Sequence, residues 1–281
     1  MRDLAGFYTY DRLTYAPLRQ RGWVVTEVPW RQPNVRWGFF DAVVIRTTWD
    51  YQQAPGAFMQ VLEAIDRSEA YLLNPLELVR WNVDKGYLRA LEAQGVPVVP
   101  TRWWSSLTRP ALTTLFEDFG TAQVVVKPTV GANADDTFWL NAAQEEAWAP
   151  ALGAFADRPV MAQPFVQAVV DEGEFSLFFF DGAYSHAILK TPKPHDFRVQ
   201  EEHGGHIQAT QPSAALIAQA EQVVSALPTS SLYARVDLVR MPGDAFAVME
   251  VELIEPSLYF SYDAASPVRF AEALVAWMDR S

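Results

Sequence analysis

Apolar residues recur along this chain with two different periods, and the switches between them mark its elements. DAVVIR at 41–46 is a continuous apolar run of the kind that fills a buried strand. AFMQVLEAIDR at 57–67 places Phe58, Val61, Leu62 and Ile65 at helical spacing. Strand and helix together predict a small α/β unit over residues 1–80. Between them lies RTTWDY, a strand end passing into a loop, where open α/β sheets bind ligands. Asn82 reads as the N-cap of a helix through Tyr87, Leu88 and Leu91 to Gly95, which puts Lys85 in its first turn. VPVVPT follows as extended chain, TAQVVVKP as a strand ending at Lys127-Pro128, and MAQPF at 161–165 as another short strand. FSLFFF and YSHAILK flank Asp181-Gly182, a two-residue hairpin signal. Ser213 opens a helix through Leu216, Ala220, Val223 and Leu227. Ser266, as N-cap with Pro267 behind it, opens a last helix through Phe270, Leu274 and Trp277. Hairpins grouped together, with helices between the groups, predict an α+β fold rather than one doubly wound sheet.

At 234–257 the pattern ARVDLVRMPGDAFAVMEVELIEPS sets charges into two alternating apolar strands around the turn residues Pro242-Gly243-Asp244. Pairing Met241 with Phe246 puts Asp237 opposite Glu250 and Arg235 opposite Glu252, all on one face, with facing Cβ atoms about 5 Å apart. Three carboxylates that close repel one another unless a cation lies between them, and a pair of Mg²⁺ ions fits such a group. Read alone, the same charges also fit a solvated face with one Arg–Glu bridge. The apolar settings VDLV and AVMEV, where charge is costly without a partner, point toward the metal.

Half of the 281 residues are hydrophobic and 13% are aromatic, enough to bury a large core in two or three subdomains. Against 34 Asp+Glu stand 22 Lys+Arg, a formal charge of −12 that argues against a nucleic-acid backbone or an anionic membrane as main partner. An anionic ligand must therefore be met by a few placed cations or by metals. Cysteine is absent, so there is no disulfide, thiolate metal site or cysteine nucleophile. The first twelve residues do not read as a secretion signal, and no apolar run reaches the ~18 residues of a membrane span. A cytoplasmic protein is expected.

In so acidic a chain two lysines stand out. Lys127 ends the strand VVV beside the loop PTVGANADD, well placed for a phosphate, and Lys85 sits where a helix dipole disfavours a cation unless an anion is near. Taken in order, the pieces resemble the ATP-grasp superfamily over 82–257: a helix lysine in NVDKGYLRALEAQGVPVVPT, a strand lysine in VVVKPTVGA, a linker strand MAQPFV and a final acidic hairpin. The similarity is closest to the glutathione synthetase and ribosomal-protein glutamate ligase branch. RTTWDY, NPLELVRWNVDKGYL, GEFSLFFFDGAYSHAILK, FRVQEEHGG and MEVELIEPSLYF look like the subgroup containing the D-cycloserine-forming ligase.

The resemblance implies an ATP-grasp fold with a nucleotide held between α+β subdomains at 81–160 and 161–281, behind the 1–80 unit. It implies that Lys85 and Lys127 contact the ATP phosphates, that the backbone at Gln163, Phe165 and Val166 receives the adenine, and that Glu174 lies near the ribose. Lys190 and Arg198 fall where a cation meets the γ-phosphate and an acyl-phosphate, with Arg235 as a third catalytic cation. Asp237, Glu250 and Glu252 fall on the ligand positions for Mg²⁺, with Mn²⁺ an alternative. Two departures stand out: GANADD carries one glycine where many relatives carry several, and Glu252 replaces the usual Asn, adding a third negative ligand.

These parts predict an ATP-dependent carboxylate–amine ligase that forms an amide, or closes a ring, through an acyl-phosphate on an amino acid or small peptide-like acid. Arg46 is a candidate clamp for a substrate carboxylate, or else a bridge to Asp50 or Asp41. Gln200 with Gly204-Gly205 is a candidate lid, and His203 and His206 read as ordinary residues of that loop. Among ten tryptophans, Trp49, Trp81 and the Trp103-Trp104 pair are candidates for the pocket lining or the core, and the aromatic surplus suggests a homodimer. A non-catalytic ATP-binding module and a small-molecule kinase are the competing readings.

Overall fold

The N-terminal stretch builds a short parallel pair around one crossover helix. In the computed structural model, which describes residues 7, 9–131, 133–194 and 196–280, α1 (Tyr15–Gln20) precedes β1 (Ala42–Val44), α2 (Pro55–Asp66) and β2 (Tyr71–Leu73), and β1 pairs with β2 in parallel. The reading of a missing secretion signal lies partly outside the described residues. Pro55, whose fixed φ suits a first turn, opens α2. The helix buries Phe58, Leu62 and Ile65 among Ile45, Leu72 and Val79, so three of the four apolar positions picked by spacing face the core.

The helix expected to begin at Asn82 begins instead at Tyr87, behind a separate short helix that Asn82 ends. α3 (Leu76–Asn82) ends at Asn82 and α4 (Tyr87–Ala93) starts at Tyr87, so Lys85 lies in the turn between them rather than in a helix's first turn. The Asn82 amide bonds across the molecule instead of capping, donating to Val251 O at 2.8 Å and accepting from Leu253 N at 3.0 Å. Asp84 holds the turn, accepting from Gly86 N and from the Thr129 hydroxyl, both at 2.7 Å. Local capping preference loses here to long-range hydrogen bonding.

A second sheet follows, made of β3 (Arg102–Trp104), β4 (Gln123–Pro128), β5 (Phe138–Asn141) and β6 (Val160–Pro164) in the order β3-β6-β4-β5, antiparallel throughout. α5 (Arg109–Phe119) is capped by the Thr108 hydroxyl and closed by Gly120 at φ 60°. It packs Leu112, Leu115 and Phe116 on Val124 and Val126, with Trp148 and Phe155 flanking α6 (Ala149–Ala154) in the same core. Because β6 pairs in this sheet, a division of the chain at 160/161 cuts through a strand.

After the short α7 (Ala168–Asp171), the third sheet takes β7 (Glu174–Phe180), β8 (Ala183–Thr191), β9 (His206–Thr210), β10 (Tyr233–Arg240) and β11 (Phe246–Glu252) in the order β11-β10-β7-β8-β9. Asp181 and Gly182, both at positive φ, turn β7 into β8 as their sequence predicts. β7 is buried along its whole length. Phe175, Leu177 and Phe179 pack against α8 (Ala214–Ser225), while Phe178 and Phe180 pack against α9 (Ser266–Met278) on the other face. Ser213 caps α8 as expected, but Ser266 is the first residue inside α9 and its hydroxyl donates to Asp263 O at 2.7 Å.

The acidic hairpin has Asp237 opposite Glu250 and Arg235 opposite Glu252, the expected pairs. At the turn, however, Phe246 pairs with Arg240 and not with Met241. A bulge accounts for both: Leu238 opposes Val248, so Met249 is the extra residue that restores the register at the acids. With side chains alternating along a strand, Glu174 and Ser176 share a face with Phe178 and Phe180. That face runs from apolar under α9 to charged beyond it. No helix among the described residues is long and apolar enough to cross a membrane.

Candidate active site

The charged end of the five-stranded sheet meets the four-stranded sheet across a cleft. Lys127 on β4, Gln163 on β6, and Phe165 and Val166 beyond it line one wall; Glu174, Lys190, Arg235, Glu250 and Glu252 line the other. Lys85 reaches in from the turn between α3 and α4, and Arg198 and Gln200 from the segment between β8 and β9. The N-terminal unit adds Trp49 and Tyr51, and the chain after β11 adds Glu255, Ser257 and Tyr259.

Charges alternate in sign over the cleft floor. Lys85 Nζ lies 3.0 Å from Glu250 and donates to Gly131 O at 2.8 Å. Lys190, facing Glu174 in the strand register, lies 2.5 Å from its carboxylate and 3.6 Å from Asp237. Arg235 holds Asp237 at 2.8 Å and also binds Glu252, while Ser176 donates to Asp237 at 2.5 Å. Asp237, 2% exposed, lies beneath the lining side chains. Lys127 alone among these cations has no ion-pair partner among the described residues.

Burial and these neighbours set the proton affinities. Burial works against the Lys85 charge, but Glu250, with Glu252 and Glu255, holds the ammonium above its ordinary value. Burial lowers Lys127, with Glu250 opposing and Lys85 adding to the fall. Against burial, Arg235 and Lys190 hold Asp237 down at about 2, and Lys85 and Lys127 hold Glu250 below the usual range. Burial raises Glu174 despite Lys190. Burial also raises Glu252 to about 7, Arg235 opposing and Glu250 and Asp237 contributing to the rise.

Two contacts fasten the rim. Trp139 on β5 stacks on Phe165 at 4.4 Å and meets Phe197 edge-on at 5.7 Å, joining the four-stranded sheet to the segment before β9. His203 Nε2 lies 2.9 Å from Asn133 O, tying the same segment to the loop after β4. That loop makes its bends without glycine: Asn133, Ala134 and Asp136 all take φ between 50° and 56°. Left-handed backbone costs an L-residue about 1–2 kcal/mol, less for Asn and Asp.

Residues 1–74 match the family model for the N-terminal domain of D-cycloserine synthetase DcsG. Over 264 residues, 87% of this chain and 86% of its relative, the sequence is 34% identical to the cycloserine biosynthesis protein DcsG of Streptomyces lavendulae. The chain is an ATP-grasp ligase of the D-cycloserine synthetase family. The ligase matches the crystal structure of D-cycloserine synthetase DcsG with a TM-score of 0.85 at 30% identity, over 95% of this chain and 94% of that one. It shares its fold with PsnB, an ATP-grasp ligase solved with a phosphomimetic variant of its minimal precursor, Mg and ADP (TM-score 0.67, 18% identity, 95% and 94% covered).

In the ligase most of the residues named from sequence meet in one cleft, and four do not line it. Arg46 stands apart, with Nε donating to Asp11 at 2.9 Å, its other arm to Pro256 O at 2.5 Å, and its guanidinium over the Tyr233 ring. Its acidic partner is thus neither Asp50 nor Asp41. Gly204 and Gly205 close the turn after residues 201–203, and a Cβ on Gly205 would lie 2.1 Å from Val199 O, so only glycine fits. Asp237 is the fourth, buried under Arg235 and Lys190. Arg198 lines the cleft while chelated by Asp196 at 2.9 and 3.1 Å. The Phe165 N–H donates to Gln123 O and the Gln163 side chain to Thr101, so these donors are engaged within the fold, while the Phe165 ring faces Trp139 at the rim.

Carboxylates are the ligands that Mg²⁺ takes, and Asp237, Glu250 and Glu252 supply three on one sheet face. No three acids or histidines among the described residues converge on a single metal position. Arg235 lies between Asp237 and Glu252, and Lys85 holds Glu250, so cations occupy the oxygens a metal would take. Sequence reasoning missed Glu255, Tyr51 and Tyr259. All three lie outside regular strands, where alternation no longer says which way a side chain faces.

Proposed function

We propose that this ligase couples a substrate carboxylate to an amine with cleavage of ATP to ADP and phosphate, forming an amide between molecules or by ring closure. The substrate class is an amino acid or small peptide-like acid. The observation that carries the reading is Lys127, a cation without an ion pair among the described residues, beside Lys85 in a cleft whose opposite wall is acidic. A polyphosphate with its metals complements both walls.

In this reading Lys85 and Lys127 bind the phosphates, and the ring of Phe165, held by Trp139, borders the adenine with Gln163 and Val166. Asp237, Glu250 and Glu252 would hold Mg²⁺, or Mn²⁺, whose charge would neutralise the β- and γ-phosphates. A substrate carboxylate oxygen attacks the γ-phosphorus and ADP leaves. Lys190, Arg198 and Arg235 offset the charge that develops on the transferred group. The amine nitrogen then attacks the acyl carbon, the C–N bond forms, phosphate departs, and the nitrogen loses a proton to water. Positioning and charge carry such a reaction, so the absence of cysteine is no obstacle. A cytoplasmic setting supplies ATP and Mg²⁺.

The test is ADP release from purified protein with Mg²⁺, ATP and a panel of amino acids, with the product weighed by mass spectrometry. Joined or cyclised product with stoichiometric ADP is expected. Phosphorylated product as the end point would make it a kinase, and ATP binding without ADP release under any acid and amine pair would overturn the ligase reading.

A further inference from the structure

Lys85 and Lys127 reach the cleft from two separately packed bodies. Lys127 stands on β4, whose core is drawn from residues 104–162. The turn of Lys85 is fastened to the five-stranded sheet on both sides: Asn82 bonds Val251 O and Leu253 N, and the Tyr87 hydroxyl accepts from Val251 N at 2.9 Å. Tyr87, Leu88 and Leu91 pack in the same core as Leu177 of β7 and Val251 of β11. At the lysines themselves three hydrogen bonds join the bodies: Lys85 N donates to Thr129 O at 2.8 Å, the Thr129 hydroxyl to Asp84 Oδ2 at 2.7 Å, and Lys85 Nζ to Gly131 O at 2.8 Å. The Nζ bond is made by the group that a phosphate would take. The other two leave both ammonium groups free for a ligand.

Asp84 divides its carboxylate between the two bodies. Oδ1 accepts from Gly86 N at 2.7 Å, within its own turn, and Oδ2 takes the Thr129 hydroxyl. The turn is built around that carboxylate, since a Cβ on Gly86 would lie 2.9 Å from Oδ1. Thr129 is 6% exposed and follows Lys127 by two residues. Neither Asp84 nor Thr129 lines the cleft. Resting on the ligase reading above, we infer that Asp84 and Thr129 are positioning residues, which set the spacing of the two phosphate lysines and act only through them. Without the bridge, that spacing has to be ordered each time a polyphosphate binds, and affinity bears the cost. The arrangement uses hydrogen bonds and not charge. An Asn at position 84 still accepts from Gly86 N through its oxygen and donates to the Thr129 oxygen through its amide nitrogen.

The experiment is calorimetric titration of the whole protein with Mg²⁺ and the β,γ-imido analogue of ATP, in the natural chain and in Asp84→Ala, Asp84→Asn, Thr129→Val and Lys85→Met. The melting temperature of each is taken without nucleotide. Asp84→Ala and Thr129→Val should each bind the analogue about 2- to 10-fold more weakly, the range of one hydrogen bond. Asp84→Asn should stay close to the natural chain. Unchanged affinity in Thr129→Val, which deletes a bridging hydroxyl and no charge, overturns the inference. So does an Asp84→Asn variant as weak as Asp84→Ala, since Asp84 would then act by its charge. Variants that melt lower yet bind the analogue as the natural chain does overturn it as well, because the bridge would serve stability alone. If Asp84→Ala does not fold, Thr129→Val decides. Lys85→Met separates this inference from the reading beneath it: weakening there with none in Thr129→Val sinks the positioning role alone, whereas no weakening in Lys85→Met sinks the phosphate role of Lys85 and the positioning role with it.

Discussion

At the scale of single residues the site is a set of charges that neutralise one another until a ligand arrives. Glu250 faces Lys85 at 3.0 Å, so Glu250→Gln removes the counter-charge of a buried lysine as well as a candidate metal ligand. Turnover should drop by about two to three orders of magnitude, as when a group stabilising transition-state charge is lost. Far-UV circular dichroism should be unchanged; unaltered turnover would remove Glu250 from the metal set. Glu252 supplies a pH dependence. Its pKa, raised to about 7, means that the carboxylate a metal needs forms as pH rises through that value. The Mg²⁺ concentration for half-maximal rate should therefore fall between pH 6 and pH 8 more steeply in the natural chain than in Glu252→Asn. Parallel profiles would show that Glu252 does not ligate. The positions of these acids were legible because strand alternation and a turn signal fix which side chains share a face. Glu255 was not, because it follows the strand in a segment whose direction is set by packing.

At the scale of elements, one face of the five-stranded sheet does two jobs in sequence. Phe178 packs under α9, and two residues along, Ser176 bonds the buried Asp237. Phe178→Ala should cost about 3–5 kcal/mol by cavity formation, read as a lower denaturation midpoint. The rim is a second element-scale device. Trp139 is 42% exposed yet stacks on Phe165 and meets Phe197 edge-on. Replacing it by alanine should raise KM for ATP about 2- to 10-fold, the range of an aromatic pair, with kcat little changed. A fall in kcat at constant KM would place Trp139 in the chemical step instead. The hairpin bulge belongs here too. Alternation predicted the pairing of the acids, and a one-residue shift in the turn was absorbed at Met249, a device that no local pattern announces.

At the scale of the whole molecule, stability should depend on acidity through His186. It is 4% exposed, stacked on Phe178 at 4.3 Å and bonded to Leu258 O at 3.0 Å, and burial lowers its pKa to about 4. An unfolded histidine titrates near 6.5, so between those values the unfolded chain binds the extra proton. The contribution is complete above pH ~6.5 and is lost as pH falls toward 4, amounting to about 3 kcal/mol at the acid end. Urea unfolding at pH 7.5 and pH 5 should show a larger loss for the natural chain than for His186→Gln, and equal losses would exclude this origin.

By itself the sequence determined the elements whose cause is local: the hairpin at Asp181-Gly182, the capped helix after Ser213, the strand that ends in Lys127, and the pairing of Asp237 with Glu250. Each follows from side-chain period or turn chemistry within about a dozen residues. The tertiary structure alone decided what depends on distant partners. Asn82 ends a helix rather than starting one because its amide serves Val251, 169 positions away. Arg46 turns to Asp11 and Pro256 and leaves the cleft, while Glu255 enters it. A polar group's partner is chosen by what folding brings within 3 Å of it, and no periodicity in the chain encodes that choice.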